Sequence, residues 1–158
     1  MEFLFVQPGD RERIATIRDL FLEYQGELGI DLCFQGFQEE LATLPGKYGP
    51  PSGCLLLVFD GENPVACGAL RDIGDGICEL KRIYVRPVAR RRGLARSISE
   101  RLIAYGREAG FRTARLDTLR RLAGAVELYQ QLGFRFIEPY NYNPEEDIVY
   151  MELPLSAL

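Results

Sequence analysis

Histidine is absent from the 158 residues. Serine–histidine–aspartate and cysteine–histidine catalysis are therefore excluded, and a zinc site loses its commonest ligand, so no metal is expected. Acid–base chemistry must fall to Glu, Asp, Tyr, Lys or Cys. The four cysteines, at positions 33, 54, 67 and 78, form no Cys-x-x-Cys pair. That spacing fits a reduced compartment, and the cytoplasm is the expected location. Cys54 and Cys67 lie in apolar runs and read as core residues. Cys78 has no histidine to activate it as a nucleophile. No apolar run approaches the roughly 20 residues of a membrane span. The basic start and long apolar stretch of a signal peptide are missing too, so no membrane partner is expected. Missing as well are the Gly-Lys-Ser/Thr of a Walker loop and the Gly-x-Gly-x-x-Gly of a dinucleotide fold. With no repeat, linker or low-complexity tract, one domain over 1–158 is expected.

What is present is a basic segment inside an acidic chain. The net charge is −4, yet Lys81 to Arg121 holds 13 Lys/Arg against 3 Asp/Glu. Such a segment suits an anionic ligand and does not by itself choose one. Within it, Glu79–Ala109 reads strand, basic turn, helix. ELKRIYV is rich in β-branched and aromatic residues, and Pro87 ends it because proline offers no ladder N–H. Arg90, Arg91, Arg92 and Gly93 follow. Leu94, Ile98, Leu102 and Tyr105 then recur at a helical period. Arginines and a glycine thus stand where a helix begins, with unpaired N–H groups and a positive dipole end. That combination binds anions, phosphate above all.

The pattern Arg90-x-x-Gly93-x-Ala95 resembles motif A of the GCN5-related N-acetyltransferases (GNAT). Tyr84-Val85-x-Pro87 before it and Leu128-Tyr129-x-x-x-Gly133-Phe134 after it strengthen the resemblance. The order strand, two helices, three strands, helix, strand, helix, two strands is similar to that family over nearly the whole chain. The family implies an α/β (α+β) fold, with a mixed, mostly antiparallel central sheet, splayed central strands and helices on both faces. From pattern alone only a mixed sheet with helices on its faces follows.

The resemblance implies acetyl-CoA as co-substrate. Its contacts are expected at Ile83, Tyr84, Val85, Arg90, Arg91, Arg92, Gly93, Leu94, Ala95, Arg96, Ser97, Thr118 and Tyr129. The Val85 N–H is the expected donor to the thioester carbonyl, and the Tyr84–Val85 edge the partner of the pantetheine arm. Glu79 matches the family's catalytic glutamate. Its rival reading is an exposed carboxylate at a strand end. Lys81 shares its face unless a bulge intervenes, and an ion pair would weaken it as a base. Tyr129 matches the tyrosine that approaches the CoA sulfur; its rival reading is a core tyrosine. Asp117 reads as an acceptor contact, a second base or a cap. Tyr140 and Tyr142 in the loop Pro139–Asp147 read as acceptor contacts. The other acceptor loop is expected at Gly29–Gly36. Where the family often carries Asn, seven residues before the tyrosine, this chain has Leu122, which puts one cofactor or water contact in doubt.

Three function classes follow. The first is an N-acetyltransferase acting by direct attack of a primary amine, the acceptor being a small molecule or amino-acid-like. The second is an acyl-CoA-binding regulatory module without turnover, separated from the first by whether CoA thiol is released. The third is a nucleic-acid binder, which would show steeply salt-dependent affinity. The acidic remainder of the chain repels a polyanion, and few aromatics interleave with the arginines, so no nucleic-acid partner is expected. The state expected is a monomer or homodimer.

Overall fold

In the computed structural model, which describes residues 1–29 and 36–156, the chain runs β1 (Glu2–Phe5), α1 (Arg11–Leu28), α2 (Phe37–Thr43), β2 (Cys54–Asp60), β3 (Asn63–Gly74), β4 (Ile77–Val85), α3 (Leu94–Glu108), β5 (Thr113–Leu119), α4 (Ala123–Gln131), β6 (Arg135–Ile137) and β7 (Ile148–Pro154). This is the order expected from the sequence. The second helix is described from Phe37. Phe34, Cys33 and most of the expected acceptor loop at 29–36 lie outside the described residues. The Asp10 carboxylate accepts the Arg13 N–H at 3.1 Å and so caps α1.

The strands form one sheet in the order β1-β2-β3-β4-β5-β7-β6. Only β4 and β5 run parallel. The apolar run of β2 is covered on both sides. Cys54, Leu56 and Val58 pack with Leu94, Ile98 and Leu102 of α3. Leu55 and Leu57 pack with Ile17, Leu20 and Phe21 of α1 and Phe37 of α2. Period two in the strand thus meets two helical faces. Close approach of α3 to β3 depends on Gly68, where an added Cβ would lie 2.6 Å from Ile98 Cγ2.

The sheet splits at its centre. β4 and β5 pair only over Ile77–Glu79 and Thr113–Arg115. A bulge in β4 sits beside the split: the register to β3 shifts between Ala69↔Lys81 and Cys67↔Tyr84, and Arg82 takes a left-handed φ of 58°. The bulge turns Arg82 toward α2, where its guanidinium meets both Glu40 oxygens at 3.0 Å and lies over the Phe37 ring. Extra residues of this kind bend a strand and deepen its twist. Because it follows Lys81, the bulge does not separate Glu79 from Lys81, contrary to the separation the family resemblance suggested. Among the described residues no helix is long and apolar enough to cross a membrane.

Candidate active site

The turn from β4 to α3 builds an anion cradle. Pro87–Ala89 makes one 3-10 turn, Arg90 is extended, and Arg91 and Gly93 take left-handed φ values of 64° and 74°. Such alternation turns successive backbone N–H groups to one side. Gly93 caps α3 without a side-chain hydrogen bond, and a Cβ there would meet nothing within 4 Å. The space ahead of the first turn is therefore open, and the N–H groups of Leu94, Ala95 and Arg96 have no intrahelical acceptor. The cradle fits a pyrophosphate.

A cleft of about 650 Å³ runs from this cradle along the split. Of the residues proposed from the sequence, Ile83, Tyr84, Val85, Arg90, Arg91, Gly93, Leu94, Ala95, Arg96 and Tyr129 border it. Three expected contacts do not. Arg92 turns away to Asp60, 3.0 Å distant. The Ser97 N–H is already used, donating to the Gly93 carbonyl at 3.1 Å. Thr118 borders a separate inner cavity. Along β4 the Arg86 N–H bonds Val65 of β3 at 2.8 Å. Backbone groups of successive strand residues face opposite edges, so the N–H and C=O of Val85 face the split. The Val85 carbonyl accepts Arg90 Nε at 3.0 Å. Arg90 also pairs with Glu27, and Arg86 with Glu23, so α1 is tied to the cradle's rim. Among the described residues Arg91 has no carboxylate partner.

The inner cavity, about 90 Å³, lies between the splayed strands. Lys81, Asp117, Thr118, Asn143 and Tyr24 supply its polar groups, and it meets the cleft at Ile83, Leu122, Ala125 and Tyr129. Tyr129 is buried, its ring edge-on to Phe134 at 5.7 Å between centroids. Burial, with the Tyr24 ring and the Asp117 charge, pushes its phenol well above the ordinary range. Among the described residues Asp117 Oδ2 is buried with no hydrogen-bond partner.

Glu79 corrects an expectation. It is 1% exposed, within β4 and away from its end. Arg71 Nε and Nη2 hold Oε1 at 2.9 and 2.8 Å, and the Tyr140 hydroxyl donates to Oε2 at 2.6 Å. Burial alone would raise its pKa. Lys81 and then Arg71, helped by the hydrogen bonds, overcome this and hold it below the usual carboxylate range. Glu79 borders neither the cleft nor the inner cavity. Tyr140 is thus the partner of Glu79, with Arg115 over its ring at 5.1 Å, and borders neither cavity. Tyr142 stands 78% exposed and borders neither cavity. Cys54, Cys67 and Cys78 are buried in the core. Burial pushes the thiols of Cys54 and Cys78 up to about 12.

Residues 14–134 match the Acetyltransferase (GNAT) family. An uncharacterized N-acetyltransferase of Schizosaccharomyces pombe is 42% identical over 139 residues, covering 87% of this chain and 85% of that protein. The chain belongs to the GNAT acetyltransferase family. It is an acyltransferase. A GNAT acetyltransferase of Staphylococcus aureus superposes with a TM-score of 0.79 at 18% identity, covering 98% of this chain and 100% of that one. A Salmonella typhimurium protein, solved with its cofactor acetyl-CoA, superposes with a TM-score of 0.69 at 19% identity, covering 100% and 95%. At such identities these two establish the fold alone.

Within this GNAT frame the sequence reading missed Tyr24, which borders both cavities. Its spacing along α1 matches that of Ile17, Leu20 and Phe21, so it reads as one more core residue. Burial pushes its phenol up to about 12. Arg121 was also missed. It borders the cleft and bonds both the Leu28 carbonyl and Asp147, linking α1 to the loop before β7. No local signal marks either residue. Leu122 caps α4 with no side-chain hydrogen bond and lines both cavities with apolar surface.

Proposed function

We propose that this chain is an acetyl-CoA-dependent N-acetyltransferase that moves an acetyl group to the primary amine of a small-molecule or amino-acid-like acceptor by direct attack. The observation that carries this reading is the junction of two cavities at Ile83 and Tyr129. One begins at an open anion cradle; the other holds carboxylate, ammonium and phenol side chains.

The amides of Leu94 to Arg96 and the guanidinium of Arg91 would hold the pyrophosphate. The free edge of β4 at Tyr84 and Val85 offers the pantetheine a strand-like partner. Acetyl-CoA supplies an activated acetyl thioester. The Val85 N–H, aimed at the split, stabilises negative charge growing on the thioester oxygen. Tyr129 donates a hydrogen bond toward the departing sulfur. Its phenol lies well above a thiol's ordinary pKa of roughly 8.5, so the bond strengthens as charge grows and full proton transfer is not required. No metal takes part in this reading.

The test is a panel of amines and amino acids assayed for release of CoA thiol, after acetyl-CoA binding is measured by calorimetry. Binding and release above the hydrolytic background with at least one amine are expected. Binding without release by any amine would favour a regulatory acyl-CoA module instead.

A further inference from the structure

We propose that Asp117, rather than Glu79, receives the acceptor's ammonium group and takes its proton, an assignment that rests on the N-acetyltransferase reading above. The two carboxylates differ in what their oxygens already do. Both Glu79 oxygens are held, by Arg71 and by Tyr140, and Glu79 borders neither cavity. Asp117 lines the inner cavity, whose wall shares Tyr129 and Ile83 with the cleft. Among the described residues its Oδ2 is buried with no hydrogen-bond partner. A buried acceptor left unpaired costs about 1–3 kcal/mol, more when charged. An incoming N–H would remove that penalty.

The groups around Asp117 suit a cation. Its charge acts on Tyr24 of α1, Tyr129 of α4, Tyr140 of the preceding loop and Tyr150 of β7. It acts also on Lys81 of β4, whose own neighbours are Arg82, Glu79 and Arg71. Burial holds the Lys81 ammonium below its ordinary pKa, against the pull of Asp117. Lys81 therefore balances the carboxylate as a reluctant cation, and an acceptor ammonium can share Asp117 with it. Aromatic rings beside a carboxylate also favour an alkylammonium through their faces.

The proton count requires such a base. An alkylammonium loses two protons on becoming a neutral amide. One N–H bond breaks as Asp117 Oδ2–H forms, leaving the electron pair on nitrogen. That pair forms the N–C bond to the thioester carbonyl carbon as the C=O π pair moves onto oxygen. The oxygen pair then re-forms C=O as the C–S bond breaks, its pair leaving on sulfur, which takes the second proton, from the second breaking N–H bond, as CoA thiol.

The experiment compares the parent, Asp117→Asn and Glu79→Gln with the best amine of the panel. Asp117→Asn should lower kcat/KM by about 10²–10⁴-fold, the usual worth of a general base. It should leave acetyl-CoA affinity unchanged. By calorimetry, the amine should bind CoA-loaded Asp117→Asn about tenfold or more weakly, as loss of a charged hydrogen bond implies. A folded Glu79→Gln should keep the parent's amine affinity. If Asp117→Asn melts below the assay temperature, Asp117→Ser carries the same readouts. An active parent whose Asp117 variants keep its kcat/KM, or amine affinity lost only in Glu79→Gln, overturns the assignment alone. A parent that binds acetyl-CoA yet releases no thiol with any amine overturns the N-acetyltransferase reading, and this assignment with it.

Discussion

Arg71 neutralises a carboxylate that water does not reach. Its side chain is 23% exposed and that of Glu79 1%, so removing the arginine leaves one oxygen of a buried charge without its partner. Arg71→Gln should destabilise the fold by about 3 kcal/mol near neutral pH, the low end for a broken buried pair, read as a fall in the denaturation midpoint. The pH sign follows from the depressed Glu79 pKa. A lowered pKa contributes stability above the unfolded carboxylate range, and that contribution is lost as pH falls through the folded value. The gap between parent and Arg71→Gln should therefore narrow as the solution is acidified; a constant gap would deny the charge its part. Tyr129→Phe keeps the ring that packs on Phe134 and removes only the hydroxyl. It should melt near the parent, bind acetyl-CoA as tightly, and lose about 10²-fold in both kcat and kcat/KM. If chemistry limits the rate and kcat is unchanged, Tyr129 is a core tyrosine only.

At the level of elements, the start of α3 aims its amides at open space. Gly93 permits this, with a φ of 74° and no atom within 4 Å of an added Cβ. Gly93→Glu should cost about 1–2 kcal/mol of stability from the left-handed backbone. It should abolish acetyl-CoA binding, because the carboxylate would occupy the anion's place and repel it. Unchanged affinity measured by calorimetry in a folded Gly93→Glu protein would move the phosphate site elsewhere. The helix α1 bears on the same cradle through Glu23 and Glu27. These are contacts between elements far apart in the chain, and no local pattern announces them.

At the scale of the whole molecule, the site joins both halves of a split sheet, so its ligand should bind only the folded state. Acetyl-CoA at about 100 times its Kd should raise the unfolding free energy by about 2.7 kcal/mol, seen as a concentration-dependent rise in Tm. A melting curve that saturating acetyl-CoA leaves in place would count against the cleft as its site. The sequence by itself determined the order of elements and the anion cradle. Each of these is written in local periodicity, in Pro87 and Gly93, and in the run Arg90–Arg92. It also carried enough of the acetyltransferase pattern to indicate the family. Tertiary structure alone decided how the charges pair. Seen along the chain, the arginines from Lys81 to Arg121 form a basic block. In space Glu40, Glu23, Glu27, Asp60, Glu152 and Asp147 come from outside that block to meet six of them. Glu79 and Asp117 are likewise two acids on strands when read in sequence. Only the register of β3 against β4 gives one of them Arg71. The parting of β5 from β4 leaves the other bordering a cavity with an unpartnered oxygen. Periodicity records which face a residue takes, whereas hydrogen-bond partners and desolvation depend on segments tens of residues away.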